Sequence, residues 1–490
     1  MIVVRKHYQQ QHRFDASPIA SVQLNLECRD ELVPILLGLQ HLYTDTTLRR
    51  KVVSLIANDL NEDTRRDVGR RGMDDWHVVV LASVRLGCNL DYDKLQDHVE
   101  NHRALRGIMG IGDWQDTDGF TYRRIRDTLC QIKPSTISKI NELVVQAGHA
   151  IAPEAATRVR ADSFVIETNI HYPTESSLIL DGVRKFVPLC IELARDLDIE
   201  GWRQADHLVK KIKKLKQNIG RVAASKSPKK TDVLHSLYSD LLNRACQLLG
   251  RADDLVKAAQ NVSSSTTVFL KIVAIKQWTE LTEQVCDTAR RRVLLGESVP
   301  NGDKLFSLFE THTQLYRRGK AGQPNQYGRL VLVYEDGAGF ISHYHLMDRD
   351  AKDQDVVVEQ TKIAQRKHGG EIGTASFDRG FHSDENEVSL NEIVDNVCVL
   401  PRHPGQYAQR LKEGTVKFHQ TRLHHSGIES AIGAMQRGNG LKRCRDRSEL
   451  GFERYFGLAI LGRNIHTLGK LLLAEHHGQT ASAQSRRQAV

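Results

Sequence analysis

Three acidic residues stand where carboxylate chemistry could be done. Asp162 lies in a run whose β-branched and aromatic residues, Val159, Phe164, Val165, Ile166 and Ile170, read as a strand closed by a turn at Pro173. Asp378 ends the short strand-like run Ile372–Phe377, just before Arg379-Gly380. Glu429 sits near the start of a helical run, after His425-Ser426-Gly427-Ile428. A carboxylate in a strand is costly to bury unless it meets a base or holds a cation. Each acid also has an ordinary use: Asp162 on a solvent edge, Asp378 starting a turn, Glu429 favoured by the helix dipole. Glu167 competes with Asp162, but five residues along a strand it faces the opposite side. His343 and His345 share a strand face and read as a solvent-facing pair rather than metal ligands.

No local spacing links the three acids, so the elements that carry them decide. Residues 1–150 read as a helical N-terminal domain. Leu32–Leu39 opens an apolar segment, and apolar residues recur at helical spacing over Leu48–Leu60. Trp76–Val84 is a buried helix or strand by periodicity alone, and its polar flanks and the helical pattern after it favour helix. Asp91 is placed to cap a helix carrying Leu95 and Val99, and Ser135 after Pro134 to cap another. Residues 151–185 hold the first strand. Residues 186–310 read as a helical insertion, with Leu208, Val209, Ile212, Leu215, Ile219 and Val222 at three- and four-residue steps. Lys210, Lys211, Lys213 and Lys214 lie between them, on a face that is either solvated or tracks phosphates. Residues 311–475 contribute a hairpin (Gly328–Tyr334 and Phe340–Leu346 around a Gly/Asp-rich turn), a helix over Asp353–His368, strands at Ile372–Asp378 and Asp395–Pro401, and closing helices. From His476 to residue 490 the polar composition predicts a disordered tail.

The fold class is α/β: a five-stranded mixed sheet, interrupted by a large helical insertion and preceded by an all-helical region. In this strand order the first and fourth strands can lie side by side. Both aspartates then share one sheet edge, and the following helix can bring Glu429 over it. Such a cluster repels itself unless a hard divalent cation, Mg²⁺ or Mn²⁺, neutralises it.

Composition sets broad bounds. A chain of 490 residues with 40% hydrophobic residues supports two or three domains. Its formal charge of +9 is compatible with a polyanion partner. The eight cysteines stand singly with no C-x-x-C pair, which indicates neither a zinc knuckle nor a disulfide framework. No apolar run reaches the ~20 residues of a membrane span, and the first residues lack a signal-peptide core. The expectation is a reduced cytoplasmic protein with no membrane partner.

The chain resembles insertion-sequence transposases of the DDE class, whose catalytic core is RNase H-like. The likeness rests on Asp162 with Glu167–Ser176, on Asp378-Arg379-Gly380-Phe381-His382-Ser383, and on His425–Gly433 around Glu429. Gly440–Arg445, the last long helix and the lead-in Arg317–Gly322 add to it. The resemblance covers residues 150–180 and 310–475 well and the N-terminal region more loosely. It implies that Asp162, Asp378 and Glu429 form the catalytic and metal-binding triad, with two Mg²⁺ or Mn²⁺ ions serving phosphoryl transfer. It further implies strand cleavage and strand transfer on double-stranded DNA, at terminal inverted repeats and target, by a homodimer that synapses two ends. The residues expected to contact DNA are Arg379, Arg422, His425, Gln436, Arg437, Lys442 and Arg443, with Lys210, Lys211, Lys213 and Lys214 on the insertion. Some relatives carry Tyr, Arg and Lys around the Glu where this chain carries Arg422, His425 and Gln436. Two other classes stay open: a nuclease of the same fold that does not join strands, and an inactive DNA-binding relic.

Overall fold

The computed structural model describes residues 3–4, 16–61, 70–112, 120–203, 205–317, 324–400 and 415–488. Arg318–Gly322 of the lead-in lie outside the described residues. The chain divides into two units, residues 1–167 with 330–490, and residues 168–329.

Six strands form a mixed sheet: β1 (Arg158–Glu167), β2 (Gln314–Tyr316), β3 (Gln326–Asp336), β4 (Ile341–Leu346), β5 (Thr374–Phe377) and β6 (Asn396–Val399). Their order is β2-β3-β1-β5-β6, with β4 on β3. The parallel pairs β1–β5 and β5–β6 and the antiparallel pair β3–β4 make it mixed. The first residues of β3 lie in the second unit and pair there with β2, a strand not anticipated from sequence. In β1 the consecutive residues Phe164, Val165 and Ile166 are all buried, so both faces of the strand are covered at that point. The expected neighbours, the first strand and the strand ending on Asp378, do lie side by side.

In the first unit the helices before β1 are α1 (Leu32–Thr44), α2 (Thr46–Asn61), α3 (Asp75–Gly87), α4 (Tyr92–Asn101), α5 (Arg103–Met109), α6 (Tyr122–Leu129) and α7 (Pro134–Ile151). Asp91 caps α4 as expected, its side chain accepting from the Lys94 N–H. Ser135 does not cap α7. Lys133 takes that place because Pro134 suits the first helical position, where a missing N–H costs nothing.

The N-terminal helices fall in the same unit as most of the sheet. They share one core with the sheet and the last helix, in which Trp76, Ile35, Phe164, Val331, Phe340 and Phe456 all take part. The last helix, α16 (Glu449–Gln488), is buried almost all round from Gly451 to Leu468 and packs on α1, α3 and α7. A helix buried on every side needs partners on every side, and these come largely from the N-terminal residues. Its Gly462 meets Gly87 of α3 so closely that a Cβ there would collide with backbone. The polar stretch from His476 continues α16 through Gln488 rather than losing structure, being free of proline and rich in Ala, Gln and Arg.

The second unit is a helical bundle of α8 (Glu175–Asp196), α9 (Ala205–Ala224), α10 (Lys230–Val262) and α11 (Thr266–Ala289) with its own core. It begins earlier and ends later than the 186–310 anticipated. Leu178, Ile179 and Val183 of α8 and the later Leu308 already belong to its core. On α9, Ile212 and Ile219 are buried, while Lys210, Lys211, Lys213 and Lys214 are exposed.

The remaining helices of the first unit are α12 (Asp353–Lys367), α13 (Asp384–Asn391), α14 (Val416–His425), α15 (Gly427–Gly438) and α16.

Candidate functional site

The parallel pairing of β1 with β5 fixes two of the acids. Arg160 is matched with Ser376 and Ala161 with Phe377. One residue further on stand Asp162 and Asp378, and the Asp378 backbone stays extended, at φ −71° and ψ 164°. Matched residues of a parallel pair share a face, so the two aspartates come to the same side where β5 ends. Asp162 is half-buried, and its Oδ1 accepts the Ser163 N–H at 2.7 Å. Asp378 is exposed, and Arg379 follows it in the open.

Glu429 arrives on the first turn of α15, exposed, on a helix that packs against β1. The approach is close because of Gly427: a Cβ there would run into the Arg160 guanidinium. Arg160 is itself held on two sides. Its Nε donates to Glu335 Oε2 at 2.6 Å and its Nη1 to the His424 carbonyl at 2.7 Å. Burial pushes the Glu335 carboxyl up and Arg160 pulls it back.

His425 is the last residue of α14. Its Nδ1 lies 3.1 Å from Ser376 Oγ. Burial pulls the imidazole below its ordinary value, while Asp378 and Glu429 both oppose that shift. Both carboxylates therefore act on one ring. His424 beside it is pulled down to about 4, by burial first and then by Arg160 and Arg158.

Glu167 is occupied elsewhere. Its Oε2 takes Arg443 Nη2 at 3.2 Å, and its backbone carbonyl accepts the Cys444 N–H at 2.8 Å. This leaves Asp162 as the β1 acid beside Asp378. Arg443, expected on DNA, is thus shared with Glu167, while Lys442 is exposed beside it. Arg422 is exposed on α14. Gln436 is half-buried and Arg437 exposed near the end of α15, with the Arg437 carbonyl accepting from Asn89 Nδ2 at 2.9 Å. The four lysines of α9 belong to the other unit.

Sequence reading passed over Arg160, Ser376, Glu335 and His424. Arg160 carried a signal: two residues before Asp162, it shares that residue's strand face. The expected solvent-facing pair is also corrected. His343 is only 4% exposed and bonded to Gln360 of α12 at 2.9 Å, and His345 is half-buried, because α12 covers that face of β4.

Among the described residues no group of three or more His, Cys, Asp or Glu side chains is closed around a metal position. The donor set still suits a hard divalent cation. Asp162 and Asp378 offer carboxylate oxygens one residue past the last matched pair, and neither Asp378 nor Glu429 forms an ion pair with a described residue. No family model, curated protein or solved structure matches the chain.

Proposed function

We propose that this chain is a DNA phosphoryl transferase of the DDE transposase kind, with Asp162, Asp378 and Glu429 as its acidic triad on an RNase H-like sheet. The observation that supports it most is the parallel pairing of Ala161 with Phe377, which leaves Asp162 and Asp378 each one residue beyond the last matched pair. Glu429 comes to the same strand on a helix seated against Arg160. Three carboxylates from three elements suit a polyanion reaction only with cations between them. Mg²⁺ or Mn²⁺ held there, as two ions, would activate the attacking oxygen and offset the charge on the phosphate.

The rest falls to the chain itself. Arg160, tied to Glu335 and the His424 carbonyl, fixes the end of α14 and the start of α15, and with them the direction of Glu429. His425, whose proton affinity burial lowers, holds Ser376 Oγ through its Nδ1 at the end of α14. The exposed Arg379, Arg422, Arg437 and Lys442 are placed in the reading as phosphate contacts. The partners proposed are the element's terminal repeats and target DNA, bound by a homodimer in the cytoplasm. No described helix is long and apolar enough to cross a membrane.

The test is a joining assay with Mg²⁺ and a DNA end already cut to a free 3′-OH. Covalent joining of that end to a second duplex is the expected result. Cutting of intact ends without any joining would put a nuclease in its place.

A further inference from the structure

The helical unit, taken by itself, holds a cavity of about 280 Å³ that the phosphoryl-transfer reading does not use. Its walls combine two kinds of side chain. Tyr172, Phe306 and Tyr327 supply aromatic surface, and Arg292, Lys304 and Arg317 supply positive charge. We propose that this cavity binds one nucleotide, its base against the aromatic cluster and its phosphate among the three cations.

The rings are grouped but not closed on one another. Tyr172 meets Tyr327 edge-on, at 5.7 Å between centroids and 85° between planes. Phe306 lies 5.5 Å from Tyr327 at 54°. Neither pair is stacked face to face, so ring faces remain for a flat ligand. Tyr172 is 69% exposed, a large aromatic left mostly in water at the mouth. An aromatic face is a sequence-tolerant platform for any base.

The cations are close enough to disturb one another. Burial lowers the Lys304 ammonium, and Arg292 and Arg317 lower it further. The same two arginines act against the upward push that burial and Tyr172 give the Tyr327 phenol. Among the described lining residues the acid is Glu175, and it is already engaged by Arg292. Three cations against one carboxylate leave the cavity with a net positive charge and a place for an anion. An apolar ligand would leave this repulsion standing, and a bare inorganic anion would leave the rings uncovered. A nucleotide satisfies both. The volume is of the order of a small ligand site.

The chemistry is common to a free nucleotide and to an unpaired nucleotide within a strand. Titration calorimetry on the full chain separates them, using adenosine monophosphate, adenosine, inorganic phosphate, a trinucleotide, and the same trinucleotide with an abasic centre. A free-nucleotide site binds adenosine monophosphate at least about tenfold more tightly than adenosine or phosphate alone. A strand-borne site prefers the complete trinucleotide over the abasic one by a similar factor. In either case Tyr172→Ala and Lys304→Ala each weaken the binding at least about tenfold, while circular dichroism shows both variants folded. Tyr172 is mostly exposed, so its removal leaves the core intact. No preference for a base-bearing phosphate, or binding unchanged in both variants, overturns the proposal.

Discussion

Arg160 and Glu335 are joined at 2.6 Å across neighbouring strands, and both are largely out of water. Glu335 is 2% exposed, so its carboxylate depends on that guanidinium. Arg160→Met strands the acid. Breaking a buried pair on one side costs about 3–5 kcal/mol, whereas replacing both partners is far milder. We expect urea unfolding to show Arg160→Met as the more damaging change, and the double variant Arg160→Met with Glu335→Leu to recover most of the loss. Equal damage in both would mean the pair holds nothing in place.

Asn464 ties three elements of the first unit together. Its Oδ1 accepts the Ile341 N–H at 2.8 Å, and its Nδ2 donates to the Ile341 carbonyl at 3.0 Å and to Asn141 Oδ1 at 3.1 Å. The side chain is fully buried. Asn464→Leu keeps the volume but leaves both backbone groups of Ile341 without partners. At about 1–3 kcal/mol for each unsatisfied group, the variant loses at least about 2 kcal/mol. A thermal melt within a degree of the parent contradicts this.

Stability should fall in mild acid. Burial holds the His343 imidazole down to about 3, and burial likewise lowers His345, His368, His425 and His466. Between pH 6.5 and the lowered folded values, the unfolded chain binds protons that the folded chain refuses. Stability from these groups is therefore complete above about pH 6.5 and is lost as the pH drops, by up to about 1.4 kcal/mol per unit for each group. Unfolding midpoints at pH 7.5 and 5.0 read it out. In His343→Gln the dependence becomes shallower, and an unaltered dependence contradicts the assignment.

Cys246 is exposed, with Arg290 Nη2 3.8 Å from its sulfur and the buried Cys286 thiol acting on it. Cys286 and Arg290 together pull its thiol down to about 6. Iodoacetamide should find one thiol whose rate rises through pH 6 and levels off by pH 7.5. Cys246→Ser removes that phase, and a rate still climbing steeply past pH 8 argues against a thiolate there.

Much of this was legible in the chain, for particular reasons. The run around Phe164–Ile166 announces a strand through β-branched and aromatic density, and the strand order alone allowed Asp162 and Asp378 to meet. Partners distant in sequence were not legible. Nothing near Arg160 points to Glu335, and amphipathic spacing in α1, α3 and α7 shows that a face wants cover without saying that α16 supplies it. His343 was misplaced for the same reason: alternation gave its face, and only α12 could show that the face is buried.

The most direct test of the central claim sets the two acids of β1 against each other. Asp162→Asn is expected to lose Mg²⁺-dependent joining by at least about 10³-fold, several kcal/mol of charge stabilisation at the phosphate. DNA-end binding in that variant stays within a few-fold, since phosphate contacts supply most of the affinity. Glu167→Gln, whose side chain faces Arg443, keeps joining within about tenfold. Undiminished joining in Asp162→Asn, with loss in Glu167→Gln, would contradict the site.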